Sequence, residues 1–102
     1  MKNKETPKEH QLKFYRKHKD DVSHLLDVSR KYIEILRLKE NLASCESVID
    51  VGCGPVGGIF SVMKFPVMVG IDPYWEEYSS MYECDSSVIK IIGRMEYFNK
   101  KY

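Results

Sequence analysis

The sequence predicts an α/β chain in which a partial parallel sheet of about three strands has amino-terminal helices packed against it. Two observations carry most of that prediction. Three short runs rich in β-branched residues, Ser47 to Val51, Val67 to Ile71 and Val88 to Ile92, are each bounded by turn residues. Between them lie Pro55 to Lys64 and Tyr74 to Glu83, each long enough for a short helix. Strands that alternate with helices imply parallel pairing, because a parallel connection has to cross the sheet and return right-handed. The third observation is a glycine-dense turn, Gly52 to Gly58, directly after the first run, with an acid, Asp72, at the end of the second.

Taken in order, residues 1 to about 7 are polar and read as a lead-in that ends at Pro7. Lys8 to Lys19 has a helical, basic pattern. Asp20 and Asp21 are placed to cap a second helix whose apolar face comprises Val22, Leu25, Leu26, Ser29, Tyr32, Ile33 and Leu36, with Asn41 as its stop. Ala43 to Glu46 is the loop into the first strand. The apolar character of Val67-Met68-Val69 suits a strand covered on both faces. We therefore expect an amino-terminal helical segment, 1–46, and a partial Rossmann-like unit, 47–102, forming one compact domain.

Composition narrows the function classes. At 102 residues the chain can bury roughly 65% of its unfolded surface, enough for one real core. Sixteen Lys and Arg against fifteen Asp and Glu leave a net charge of +1, so bulk charge points to no polyanionic partner. No apolar run approaches the ~20 residues of a membrane helix, and the polar start has no signal-peptide core, which makes the cytoplasm the expected compartment. Cys45, Cys53 and Cys84 are too far apart for a zinc knuckle or a Cys-x-x-Cys pair and read as free thiols. His10, His18 and His24 miss the three- or four-residue spacing of helical metal ligands, so no metal site is expected.

The chemistry is concentrated in the glycine turn. Gly52 and Gly54 lack a Cβ, which permits a tight turn and close approach of a ligand to the main chain. Pro55 suits the first turn of a helix, and free amides near Val56, Gly57 and Gly58 would then face the turn with partial positive charge. Asp72, at the tip of the second strand, can accept two hydrogen bonds from a ribose diol. The same glycines also satisfy the dinucleotide fingerprint, so NAD or flavin binding is an alternative. Asp50 discriminates between them: an anion beside a pyrophosphate is repelled, whereas a cofactor with a cationic amino acid moiety gains from it. Cys53 is a small turn residue, with no histidine near it in sequence to activate a nucleophile.

These residues resemble the class I S-adenosylmethionine-dependent methyltransferases, in particular small-molecule methyltransferases of the type 11 kind. The resemblance rests on Asp50-Val51-Gly52-Cys53-Gly54-Pro55, on Gly70-Ile71-Asp72-Pro73 and on Ile92-Gly93-Arg94-Met95-Glu96, and covers about residues 47 to 98. It implies S-adenosylmethionine as cofactor, with Asp50, Gly52 and Gly54 along its methionine part, Cys53 among the cofactor-binding residues of the same turn, and Asp72 on the ribose hydroxyls. Pro73 or Tyr74, and Met95, would lie against the adenine. The chain departs from the family at Val56, where a glycine is frequent, and at Arg94, where an aspartate often meets the adenine amino group; Glu96 would substitute only with a shifted loop.

The family usually binds its methyl acceptor with segments after a fourth strand, so no catalytic residue and no acceptor is assigned. Three expectations follow: the cofactor-binding portion of a methyltransferase truncated before the acceptor site, a half-domain that dimerises along the exposed edge of the first strand, or a cofactor-binding remnant without turnover. The segment Lys13-Phe14-Tyr15-Arg16-Lys17-His18-Lys19 interleaves aromatics with cations, which raises RNA binding as a further alternative. The plainer reading is a solvated helix with Leu12 and Tyr15 facing the core. Tyr74, Tyr78 and Tyr82, four apart, read as a packing stripe.

Overall fold

The computed structural model describes residues 5–94, which form an α/β fold built on a three-stranded parallel sheet. Strands β1 (Ser47–Val51), β2 (Val67–Ile71) and β3 (Val88–Ile91) pair in the order β1-β2-β3. Val48, Met68 and Val88 stand opposite one another in register, as do Ile49, Val69 and Ile89. Helices α1 (Pro7–Lys17), α2 (Ser23–Ile35), α3 (Leu38–Asn41) and α4 (Trp75–Ser79) complete the fold, with a 3₁₀ turn at Gly58–Ser61.

Helix α1 begins on a capping box in which Thr6 accepts from Glu9 N at 3.1 Å and Glu9 accepts from Thr6 N at 3.3 Å. Its own face buries no residue completely, yet Leu12 and Tyr15 lean on a cluster of Cys53, Tyr74, Trp75 and Tyr78. The tyrosine stripe is packing, with Tyr74, Tyr78 and Tyr82 all buried. A second cluster, Phe60, Phe65, Met68 and Val88, fills the space under the sheet, and Cys84 touches both.

Several boundaries differ from the sequence reading, each for a local reason. Asp21 sits one residue too early to cap α2; its carboxylate accepts from Ser23 N at 3.2 Å while Val22 holds the cap position. Arg37, at φ 53°, breaks the second helix and starts α3 as a separate turn. The expected helix over Pro55 to Lys64 is reduced to the 3₁₀ turn, because Gly57 (φ 92°) and Gly58 (φ 57°) take left-handed backbone that an α-helix cannot contain. The helix expected over Tyr74 to Glu83 stops at Ser79.

The expectation that the second strand is covered on both faces holds at its carboxyl end, where Met68 and Ile71 are buried on opposite faces, and fails at exposed Val67. Val48, Met68, Gly70 and Val88 turn inward, whereas Ile49 is 61% exposed, Val67 43% and Ile89 53% on the other face. The reason is topological: with the order β1-β2-β3, two right-handed crossovers in the same direction deliver both connections to one side. The other side is covered only in part: Ile71 is buried and Val69 half-buried at the carboxyl end of β2, while Ile49, Val67 and Ile89 stay exposed.

Candidate functional site

Ligands of open α/β sheets bind outside the carboxyl ends of the strands, and the glycine turn and Asp72 occupy that position here. Gly52 (φ 72°) continues the ladder by donating its N–H to Ile71 O at 2.7 Å, and Gly54 (φ 80°) then reverses the chain. The Gly54 N–H donates to Asp72 Oδ2 at 3.0 Å, and the Tyr74 N–H donates to Asp72 Oδ1 at 2.9 Å. The sequence places Asp72 eighteen residues from Gly54; the parallel register brings their strand ends side by side.

Asp50 reaches the other side of the turn. Its Oδ2 accepts from Ile59 N at 3.1 Å and lies against Gly58, where a side chain would strike it. Burial pushes the Asp50 carboxyl above its ordinary value, the Ile59 amide opposes this, and the charge of Asp72 adds to the rise. Cys53 is buried, its thiol pointing to Gly54 O at 3.7 Å, and burial raises it far from thiolate formation. That agrees with the turn role assigned to it.

The helix N-terminus expected after Pro55 does not form. Of the amides expected to face a ligand, Gly57 N donates into the loop, to Gly54 O at 3.3 Å; just beyond them Ile59 N donates to Asp50 and Phe60 N to Gly57 O at 3.0 Å.

Asp50, Gly52, Cys53 and Gly54 share the lining of one cavity of about 530 Å³, which runs between the turn, the edge of β1 and the apolar side of α2. Asp72, Pro73 and Tyr74 are not part of that lining. Asp72 is 3% exposed and Tyr74 8%. Helix α1 closes over them: Tyr15 OH lies 3.8 Å from where a Cβ on Gly54 would be, and Tyr15 and Tyr78 meet edge to face at 5.3 Å. Gln11 Nε2 donates to Tyr78 OH at 2.6 Å, Tyr82 OH donates to Tyr15 O at 2.7 Å, and Lys8 pairs with Glu77 at 2.9 Å. Met95 lies outside the described residues, as does Glu96.

Three residues at the site were not singled out for it by sequence. Tyr15 reaches the turn from α1, and its core-facing position in the helix was the available signal. Ser29, buried on α2, donates to Gly58 O at 3.0 Å and ties that helix to the turn. Arg94, noted only as a departure from the family pattern, donates from Nη2 to Tyr74 OH at 3.2 Å with its guanidinium 5.8 Å from that ring. In the basic segment, Glu5 pairs with both His10 and Lys13, while Leu12 and Tyr15 face inward.

Among the described residues no helix is long and apolar enough to cross a membrane, and no three His, Cys, Asp or Glu side chains gather as a metal site. No family model matches the chain, and no curated protein or solved structure is significantly similar to it.

Proposed function

We propose that this chain is the S-adenosylmethionine-binding portion of a small-molecule methyltransferase. The observation that carries the reading is the arrangement around the turn. A carboxylate, Asp50, lines the same cavity as Gly52 and Gly54 and holds the Ile59 amide. That combination disfavours a pyrophosphate and favours a ligand whose end nearest β1 is cationic.

The fit to the cofactor is uneven. Gly52 and Gly54 leave the backbone approachable, and Asp50 supplies the charge for an ammonium group. At the ribose end the arrangement does not fit as it stands, since both Asp72 oxygens accept from backbone amides and α1 shuts the carboxylate away from solvent. A carboxylate has further lone pairs to offer, so binding there requires α1 to lift. When bound, the cofactor would supply an electrophilic methyl group; the residues in hand bind and orient it.

Calorimetric titration of the full chain with S-adenosylmethionine, S-adenosylhomocysteine and NAD tests this, repeated in Tyr82→Phe, which loosens α1. Binding of the two sulfur ligands, weakened at least tenfold in Asp50→Asn, is the expected result. NAD binding, or silence toward all three in both folded proteins, overturns it.

A further inference from the structure

We propose that the cavity between β1 and α2 takes an apolar organic cation, a primary ammonium compound whose charge meets Asp50 and whose hydrocarbon body lies along α2. The cofactor reading uses the glycine end of this cavity and leaves the α2 wall without a role. Of the eighteen described residues that line the space, Asp50 alone is charged. Leu25, Val28, Tyr32 and Leu36 form the wall on the α2 side, with Val48 and Ile49 on the strand side. At about 530 Å³ the space falls within the roughly 300–1,000 Å³ of small-molecule sites, which combine apolar walls with a few placed polar groups.

The carboxylate is held in place and has capacity to spare. Its Oδ2 accepts from the Ile59 amide at 3.1 Å, while its Oδ1 makes no hydrogen bond among the described residues and is not sealed in by them. Among those residues no Lys, Arg or His pairs with it, and the charge that acts on it, that of Asp72, has the same sign. A half-buried carboxylate without a counter-ion carries an uncompensated desolvation cost, which a cation brought into the cavity would offset.

The kind of cation follows from the walls. Hydrocarbon side chains give no replacement for the water shell of a metal ion, and among the described residues no three His, Cys, Asp or Glu side chains gather as ligands. An ammonium group on an apolar body suits both parts of the lining. It brings three N–H donors to the carboxylate. Its hydrocarbon would cover Val28, Tyr32 and Leu36, which are 37%, 57% and 54% exposed.

Calorimetric titration of the full chain with hexylamine, set beside its neutral and anionic counterparts hexanol and hexanoate, tests this ligand class without any nucleoside. The amine is expected to bind at least tenfold more tightly than the alcohol, and hexanoate not at all. Asp50→Asn removes the advantage of the amine over the alcohol, while Tyr32→Ala, at a well-exposed position, weakens amine and alcohol together. Equal affinity for amine and alcohol, a preference that Asp50→Asn retains, or silence toward the amine in the folded chain overturns the proposal. Where the cofactor reading also holds, S-adenosylhomocysteine competes for Asp50 and displaces the amine. Amine binding with the stated preference, in a chain that ignores the nucleoside, upholds the ligand class and overturns the cofactor alone.

Discussion

The amide of Gly54 and the carboxylate of Asp72 meet at 3.0 Å, tying the end of β1 to the end of β2 inside the protein. With the Tyr74 amide on the other oxygen, this one side chain serves two buried N–H groups. Asp72→Ala is predicted to leave both unsatisfied and to cost about 2–5 kcal/mol in urea unfolding. Asp72→Asn keeps one acceptor oxygen and is expected to lose roughly half as much. Losses well under 1 kcal/mol in both variants would show that the bonds contribute little.

Gly58 is predicted to be the least replaceable glycine. Its backbone is left-handed, and an added Cβ would run into Asp50 Oδ2 and lie 3.0 Å from Cys53 O. Gly58→Ala should destabilise the fold by about 2–4 kcal/mol, read by thermal or denaturant melting. Gly52→Ala, also left-handed but with open space around it, is expected to cost less.

Asp50 sets a pH dependence opposite in sign to that of the surface acids. Its folded value is raised by burial, so its contribution is fully present below the ordinary value of 3.8 and is lost as pH rises through the raised one. Asp85 runs the other way: the Ser87 amide and Lys64 hold it down at about 2, so its contribution is lost as pH falls from 3.8 through that value. Asp50→Asn should therefore melt higher than the parent chain at pH 7, with the gap closing toward pH 4. A gap that is constant with pH would contradict the burial argument.

Helix α1 is held over Asp72 by few polar contacts, and Tyr82→Phe deletes the one to the Tyr15 carbonyl. The variant is expected to lose about 1 kcal/mol and to exchange the α1 amides faster than the parent. On the proposed function it should also bind S-adenosylhomocysteine more tightly, since less has to be displaced. Faster exchange with unchanged affinity would separate the helix from ligand entry.

Much of the fold is legible in local sequence because the relevant signals are local. Short runs rich in β-branched residues, each bounded by turn residues, mark all three strands, and β1 and β2 match the reading residue for residue. Boundaries failed where a side chain or a glycine acted at short range in a way that pattern does not encode: Arg37 splitting a helix, Gly57 and Gly58 cancelling another. At the site, Asp50, Gly52, Gly54 and Asp72 do converge at the strand ends.

The sequence alone determined that the chain is an α/β protein with parallel strands, a glycine turn and two acids at strand ends, because alternation, turn chemistry and crossover rules depend on neighbours along the chain. Only the tertiary structure decided what those acids touch. Asp50 holds Ile59 and Asp72 holds Gly54 and Tyr74, while Tyr15, far away in sequence, closes over the turn. The exposure of Ile49, Val67 and Ile89 on the outer face of the sheet belongs to the same category. Burial and hydrogen-bond partners follow from which elements lie side by side in space, and spacing along the chain does not specify them.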